Sequence, residues 1–314
     1  MKKILITGGT GFVGANFARR FVEMEEEVHL LVRENSDLWR ISNTQKKLFI
    51  HVVDITEKAA IDNVFKLVHP QIVFHFAAHG ASSAEDRDDV KGTIATNLLG
   101  TINLADAFAE FGGECFINVG SSSEYGKKDH PISENDLLAP ESLYGITKAA
   151  ATLYCSNLAK QKDLPMATLR LFSPFGYFEE ERRLIPSIIN AALNSKKFEA
   201  PSPDMVRDSL FIDEVIDAFD LTVRNIQKVR GEVINIASGE QHSIAEIVTL
   251  VRKITGLKSE VMYGNIPLAK SEPRMWIADI SKAGRLLGWK PTYSFEEGLK
   301  KYVQWKKDSI EKIN

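Results

Sequence analysis

The chain has 314 residues, 44% of them hydrophobic and 26% charged, which suits one large α/β domain or two smaller ones around a sizeable core. Its formal net charge of -3 argues against nucleic acid or an anionic membrane as a partner, because both favour a basic patch. Any anionic ligand must be held by local arginines.

Lys3 to Thr7 reads as a buried strand, Gly8-Gly9-Thr10-Gly11-Phe12-Val13-Gly14 as a glycine turn, and Ala15 to Met24 as the helix that follows. Such a turn lets backbone approach a pyrophosphate, whose charge then sits against the free N–H groups and positive end of the helix. A phosphate is therefore expected at Gly11. The spacing Gly8-x-x-Gly11-x-x-Gly14 is a variant of the dinucleotide fingerprint, and the strand before it and helix after it give the triplet its meaning. The plain alternative is a tight structural βα turn. The N-terminus runs directly into the first strand, leaving no room for a signal peptide. The longest apolar runs, such as Ile72 to Ala78, fall short of the roughly 18 residues a membrane-spanning helix needs. Two cysteines, Cys115 and Cys155, lack Cys-x-x-Cys spacing and read as buried thiols of a reducing compartment. A cytoplasmic protein is expected.

Strand and helix patterns alternate through the first half. Glu27 to Val32 and Leu48 to Val53 are strands, Glu57 to Val68 a helix and Gln71 to Ala77 a fourth strand. Asp88 to Phe111 reads as one long helix, Cys115 to Val119 as a fifth strand, Ser142 to Gln161 as a helix and Met166 to Leu171 as a sixth strand. Near-continuous apolar strands separated by helices specify a doubly wound parallel α/β sheet covered on both faces. Beyond Phe172 the alternation weakens at Arg182, Arg183, Pro186, Pro201, Pro203 and Arg207. A helix from Asp213 to Asn225 and a short strand from Glu232 to Ile236 follow, then helices at Ser243 to Thr255, Ile280 to Leu287 and Phe295 to Ile313. The expected division is a dinucleotide-binding domain over 1–172 with returning segments at about 205–240, and a smaller C-terminal α/β substrate domain over 173–204 and 241–314. Lys300, Lys301, Lys306 and Lys307 read as the solvated face of a last helix whose other face carries Leu299, Val303 and Ile310.

The second chemical signal is Tyr144-Gly145-Ile146-Thr147-Lys148. Residues four apart share a helix face, so the Lys148 ammonium can sit close to the Tyr144 phenol. A cation there favours the phenolate and moves a pKa of roughly 10 toward working pH, which creates a general acid/base for an alcohol or carbonyl. Alone, the pair is an ordinary exposed helix pair; with the glycine turn upstream it reads as a site. The third signal is Asn118-Val119-Gly120-Ser121-Ser122-Ser123-Glu124-Tyr125-Gly126 at the carboxyl end of strand five. Ligands of open α/β sheets bind at that edge, so these hydroxyls are expected to face the crevice.

Taken with Asp54-Ile55, His75-Phe76-Ala77-Ala78 and Asn97-x-x-Gly100-Thr101, these motifs resemble the extended short-chain dehydrogenase/reductase family, in particular its NAD(P)-dependent nucleotide-sugar epimerases, dehydratases and reductases. Arg207-Asp208, Phe211 to Val215, Asn235-Ile236-Ala237-Ser238-Gly239, and Arg274 with Asp279 are similar to later motifs of the family. The resemblance implies a Rossmann sheet in which Tyr144 is the catalytic acid/base, Lys148 lowers its pKa and holds the nicotinamide ribose, and Ser121 bonds the sugar oxygen. Ser121 is chosen because the family's catalytic Ser or Thr lies five residues before the closing glycine, here Gly126. The cofactor would lie along Gly8, Gly11, Phe12, Val13 and Gly14, with Asp54 and Ile55 flanking the adenine and Ala77 and Ala78 beside it. Asn97 is expected to organise the helix and site. The family also implies a homodimer through the helix of Asp88 to Phe111 and the one carrying Tyr144.

A 2′-phosphate prefers arginine at the end of strand two and free ribose hydroxyls prefer an acid. Arg33 comes immediately after Leu31-Val32, with Arg40 nearby. NADP is therefore expected, with NAD as the alternative because Glu34 follows. At the substrate end, Ser122 and Ser123 accompany Ser121, and Ser173 stands where the family usually has an Asn that contacts the sugar nucleotide. Arg207 and Arg274 resemble its pyrophosphate and nucleoside ligands, consistent with guanidinium–phosphate pairing, and Leu184-Ile185-Pro186 would line the base pocket.

The family's 4,6-dehydratases and decarboxylases place acids where Ser122 and Ser123 stand, so both reactions are disfavoured. What remains is a 4-keto reductase/4-dehydrogenase, which the Gly-Ser-Ser-x-Glu-Tyr-Gly turn and the basic end of strand two favour, or a 4-epimerase. A non-catalytic dinucleotide-binding protein is the rival from another class. The seven histidines lack metal-ligand spacing, His75 reads as structural, and no metal is expected.

Overall fold

The computed structural model describes residues 1–80, 88–200, 202–256, 260–264 and 275–311. The early strands are β1 (Lys3–Thr7), β2 (Glu27–Val32), β3 (Phe49–Val52), β4 (Ile72–His75), β5 (Cys115–Ser121) and β6 (Met166–Leu171). Shorter ones follow as β7 (Pro174–Phe175), β8 (Phe198–Ala200), β9 (Val206–Arg207), β10 (Leu210–Phe211), β11 (Val233–Ile236), β12 (His242–Ser243) and β13 (Val261–Tyr263). The helices are α1 (Phe12–Glu23), α2 (Lys58–Val68), α3 (Val90–Ile94), α4 (Gly100–Phe111), α5 (Leu143–Lys162), α6 (Leu184–Leu193), α7 (Ile212–Arg224), α8 (Ile244–Thr255), α9 (Ser281–Leu287) and α10 (Phe295–Glu311).

A seven-stranded sheet in the order β11-β6-β5-β4-β1-β2-β3 organises them, and every neighbouring pair within it is parallel. Side chains alternate across a strand, and here both faces are apolar. Ile4 and Ile6 point into one core with Phe17 and Phe21 of α1 and Phe219 of α7, while Leu5 points into the other with Phe65 of α2 and Phe108 of α4. Phe74 lies within 6.1 Å, centroid to centroid, of Phe17, Phe21, Phe76 and Phe219. Truncating such a ring to alanine costs about 3–5 kcal/mol. The order in which strands are added reverses between β1 and β4, so the carboxyl edge of the sheet opens a crevice beside the glycine turn.

The region expected as a single helix from Asp88 is broken: a π turn over Ala95–Leu99 separates α3 from α4. A π turn inserts one residue and re-aims a side chain, and the one re-aimed here is Asn97, which is fully buried. Beyond β6 the chain leaves the sheet and returns as β11, which pairs with β6 from Val233↔Thr168 to Ile236↔Leu171. Paired short strands (β7 with β10, β9 with β12, β8 with β13) form the remaining part with α6, α8 and α10. Helix α6 was not expected; Pro186 falls in its first turn, where no N–H is needed. Lys306 departs from the solvated face assigned to it. It is buried, ion-paired to Glu181 and lies over the rings of Tyr302 and Trp305, whereas Lys300 pairs with Glu296 at 2.8 Å as an exposed lysine would. Leu299 and Val303 face the core as expected; the side chain of Ile310 lies outside the described residues. Among the described residues no helix is long and apolar enough to cross a membrane.

Candidate active site

The glycine turn is held by close backbone packing. Gly8 has a φ of +68°, and the Gly11 N–H donates to its carbonyl at 3.0 Å. A Cβ on Gly8 would lie 2.6 Å from the Ala77 nitrogen, and one on Gly14 would lie 2.3 Å from the Gly8 oxygen. Gly11 caps α1 without any side-chain hydrogen bond, so the first-turn N–H groups beside Phe12 and Val13 are free of side-chain caps. This arrangement fits a dinucleotide pyrophosphate. The turn is tied to β4 by Thr7, whose hydroxyl meets His75 Nδ1 at 2.6 Å and accepts from the Ala77 N–H at 3.2 Å. His75 Nε2 lies 2.8 Å from the Thr101 hydroxyl, which itself donates to the Asn97 carbonyl. Counting donors puts the imidazole proton on Nε2. Burial first, and the Lys148 charge second, depress the His75 pKa to about 3, so the ring is a neutral structural link.

A cavity of about 480 Å³ lined by Arg33, Glu34, Asn35, Val52, Val53 and Asp54 lies at the ends of β2 and β3. Arg33 and Glu34 are both exposed there. Asp54 accepts from the Thr56 N–H and hydroxyl, both at 2.9 Å, and buried Ile55 sits where a Cβ on Gly100 would strike it at 2.7 Å. Ala77 is half-buried and Ala78 exposed. Arg40 is not placed for a 2′-phosphate. It is buried, with Nε donating to the Phe178 carbonyl at 2.8 Å and Nη1 to the Thr10 carbonyl at 3.2 Å, and so it clamps the glycine turn to the segment after β7.

Ser121 ends β5 and Tyr144 lies in the first turn of α5, capped by Ser142. The Ser121 hydroxyl lies close enough to the Tyr144 phenol to lower its pKa, and Ser121 Oγ accepts the Ser123 N–H at 3.2 Å. Lys148 follows one turn along and is 2% exposed. Burial raises the Tyr144 phenol above its ordinary pKa; the nearby Ser121 hydroxyl and Arg183 pull it back, and Glu124 pushes it further up. The lowering expected from Lys148 is therefore not what the phenol experiences in this arrangement. Burial also lowers the Lys148 pKa, opposed by Glu124 and then Cys155.

Glu124 itself is fully buried, and its carboxylate accepts from the Ser121 N–H at 2.7 Å, the Thr152 hydroxyl at 3.0 Å and Arg170 Nε at 2.7 Å. In the sequence it stands only as one member of the serine-rich turn, with no role assigned. The available signal was Arg170, a charge inside an otherwise apolar buried strand, which demands a partner. Arg183 likewise lay outside the expected site, although its charge reaches Tyr144.

Ser122 is buried and Ser123 half-buried, the latter with its carbonyl 2.4 Å from where a Gly145 Cβ would stand. Ser173 is half-buried with a φ of +27°, and Leu184 opens α6. Arg207 is half-buried on β9 and donates to the Val206 carbonyl at 2.7 Å; Arg274 lies outside the described residues. Asp208 beside it gathers the later loops, accepting from the N–H groups of Ser238 (2.8 Å), Gly239 (3.1 Å) and Ala278 (3.0 Å). Burial outweighs those bonds and raises its pKa to about 6.

With fold and site in place, the chain belongs to the NAD dependent epimerase/dehydratase family, whose model matches residues 4–237. It is 28% identical to UDP-glucuronate 4-epimerase of Thermodesulfobacterium geofontis, over 98% of this chain and 97% of that protein. Among solved structures it is similar to UDP-glucose 4-epimerase of Thermotoga maritima with UDP-glucose, at a TM-score of 0.89 and 27% identity over 98% of this chain and 99% of that one. UDP-glucuronic acid 4-epimerase of Bacillus cereus, in complex with UDP-glucuronic acid and NAD, matches at a TM-score of 0.85 and 26% identity over the same shares of both chains.

Proposed function

We propose that this chain is an NAD(P)-dependent oxidoreductase acting at C4 of a nucleotide-diphosphate sugar, as a 4-keto reductase/4-dehydrogenase. The observation that carries the reading is the meeting of Ser121, at the carboxyl end of β5, with Tyr144 in the first turn of α5, one helical turn from buried Lys148. When bound, the nicotinamide supplies or accepts hydride. Gly8, Gly11, Phe12, Val13 and Gly14 hold its pyrophosphate, Asp54 and Ile55 its adenine end, Ala77 and Ala78 its flank, and Tyr144 and Lys148 its nicotinamide ribose. Tyr144 holds a proton at its phenol oxygen, passes it to the C4 oxygen in the reductive direction and takes it back in the oxidative one. A raised phenol pKa keeps that proton in place at neutral pH. Ser121 donates a hydrogen bond to the same sugar oxygen, and Ser122, Ser123, Ser173, Leu184, Arg207 and Arg274 hold the rest of the substrate. Residues 1–172 with about 205–240 carry the cofactor, and 173–204 with 241–314 the sugar nucleotide.

The test is a panel of UDP-, dTDP-, GDP- and CDP-linked sugars and their 4-keto forms with each cofactor. Net oxidation of reduced nicotinamide by a 4-keto sugar supports the reading. Interconversion of two C4 epimers with no net cofactor change would replace it with the second reading, a 4-epimerase, which the names of the relatives favour.

NADP is the proposed cofactor because the exposed Arg33 stands at the mouth of the 480 Å³ cavity. NAD is the alternative, because Glu34 and Asp54 line the same cavity and the Bacillus cereus relative binds NAD. Thermal shifts at equal concentrations of the two cofactors decide it, since stabilisation follows affinity. A homodimer is proposed through α4 and α5. Leu99 at 50%, Ile146 at 51% and Leu153 at 61% exposure leave an apolar strip there. Residence in the cytoplasm is proposed from the two buried thiols.

A further inference from the structure

We infer that Glu124 is a positioning residue for the proton-transfer group, tying the strand end that bears Ser121 to the helix that bears Tyr144 and Lys148 and holding its charge near the Lys148 ammonium; this rests on the catalytic assignment proposed above. Three groups converge on its carboxylate from three elements. Oε1 accepts the N–H of Ser121 at the end of β5 and the hydroxyl of Thr152 on α5, the helix that carries both Tyr144 and Lys148. Oε2 accepts Arg170 Nε from β6. One carboxylate thus ties the strand end bearing the hydroxyl to the helix bearing the phenol and the ammonium. Each bond is charge-assisted and shielded from water, the setting in which such bonds are strongest.

The sheet is built to admit it. Gly120 pairs with Arg170 across β5 and β6, and a Cβ on Gly120 would lie 2.7 Å from Glu124 Oε1 and 2.8 Å from the Arg170 side chain. Only glycine leaves room for the pair. The Arg170 guanidinium also lies 4.5 Å over the Tyr125 ring, whose hydroxyl donates to Asn235 on β11 at 2.6 Å. The anchor therefore reaches across the sheet.

The electrostatic consequence concerns Lys148. Burial pushes its ammonium toward the neutral form, with the His75 imidazole facing it from β4 and the Cys155 thiol on its own helix. Of the groups opposing burial, the Glu124 carboxylate acts most strongly. Tyr144 is faced by Ser121, Glu124 and Arg183, and there the Glu124 charge favours the protonated phenol. Removing the charge lowers the pKa of both groups, so both displace the alkaline limb of a reductive pH profile downward.

The test compares Glu124→Gln, Glu124→Asp and Gly120→Ala with the parent. Nuclear magnetic resonance of lysine labelled with nitrogen-15 at Nζ, with Lys148 assigned through Lys148→Arg, reads the ammonium directly and needs no substrate. In Glu124→Gln its midpoint should fall by about one unit or more, whereas Glu124→Asp keeps the charge and should leave the midpoint near the parent's. In steady-state reduction of the nucleotide sugar that the panel identifies, all three variants should lose about 10²-fold in kcat, as misplacement of reacting groups does. The alkaline limb should move only where the charge is lost or displaced. A Lys148 midpoint unchanged in a folded Glu124→Gln variant overturns the inference. If that variant does not fold, a parent-like midpoint and kcat in Gly120→Ala overturn it. Absence of activity toward every sugar with the midpoint shifted would sink the proposed reaction and leave the electrostatic role of Glu124 standing.

Discussion

Asn97 and Thr147 join the two helices that flank the site: the Asn97 amide donates to the Thr147 hydroxyl at 3.0 Å, and that hydroxyl donates in turn to the Tyr144 carbonyl at 3.0 Å. The same Asn97 side chain accepts the His79 N–H at 2.7 Å and donates to the His79 carbonyl at 2.9 Å. Asn97 sits in the middle of the π turn over Ala95–Leu99. Asn97→Leu breaks three hydrogen bonds, one buried and two part-buried, and leaves the His79 backbone groups without theirs. It should lose about 3 kcal/mol of stability in denaturant unfolding, together with a fall in turnover larger than any rise in KM. A variant as stable as the parent would show that the π turn is set by something other than this side chain.

Tyr144→Phe keeps the ring and removes the proton. Cofactor binding, read by the quenching or enhancement of reduced-nicotinamide fluorescence, should survive within a few-fold, whereas hydride exchange with the substrate should fall by about 10²–10⁴-fold. Parental activity in this variant would end the assignment of Tyr144 as acid/base. Ser121→Ala is expected to retain more activity than Tyr144→Phe, because it removes a hydrogen bond to the reacting oxygen and leaves the proton donor in place.

Gly14→Ala tests the cofactor turn without touching the catalytic groups. The new methyl would stand 2.3 Å from the Gly8 oxygen, a backbone atom that cannot swing aside. The turn must open, and the N–H groups that face a pyrophosphate move with it. Titration with reduced cofactor should show a dissociation constant raised by at least about tenfold, equivalent to about 1.4 kcal/mol. Equal affinity would mean that the phosphates sit elsewhere.

How much of this was legible in the chain depended on periodicity. The strands from β1 to β6 are apolar runs long enough to read, and the glycine turn sits between β1 and α1 where the fingerprint requires it. Strands of two residues such as β7, β9 and β10 carry no period at all, and they are fixed by pairing with distant segments. Helix α6 was hidden because its Pro186 reads as a breaker unless the helix start is already known. Ser121, Tyr144 and Lys148 could be named from spacing, but the sign of the Tyr144 shift could not, because it depends on burial that spacing does not report. Glu124 could be assigned no role for the same reason: its three partners lie at residues 121, 152 and 170, brought together only by the sheet and α5.

The segment after β7 holds a carboxyl whose titration should be visible in the stability of the whole protein. Glu179 is 6% exposed; among the described residues its carboxyl accepts the Gly176 N–H at 3.4 Å and faces Arg183 Nε at 4.0 Å. Burial, only partly offset by Arg183, raises its pKa from 4.5 to about 8. The folded chain therefore holds this proton over a pH range in which the unfolded chain has released it. Its contribution to stability is complete below pH 4.5 and is lost as pH rises through about 8. Glu179→Gln keeps the size and cannot ionise, so the difference in unfolding free energy between parent and variant isolates this group from Asp208 and the other raised carboxyls. That difference should move in favour of the variant by a few kcal/mol, at most about 1.4 kcal/mol per pH unit, between pH 5 and pH 9. Because the neighbouring Tyr177 and Phe178 carbonyls accept from Asn16 at 2.8 Å and from Arg40 at 2.8 Å, the loosening should also reach the cofactor turn. Cofactor affinity in the parent should weaken across the same alkaline range and stay level in Glu179→Gln. A pH-independent difference in stability between the two proteins would show that Glu179 is already ionised in the folded chain at neutral pH.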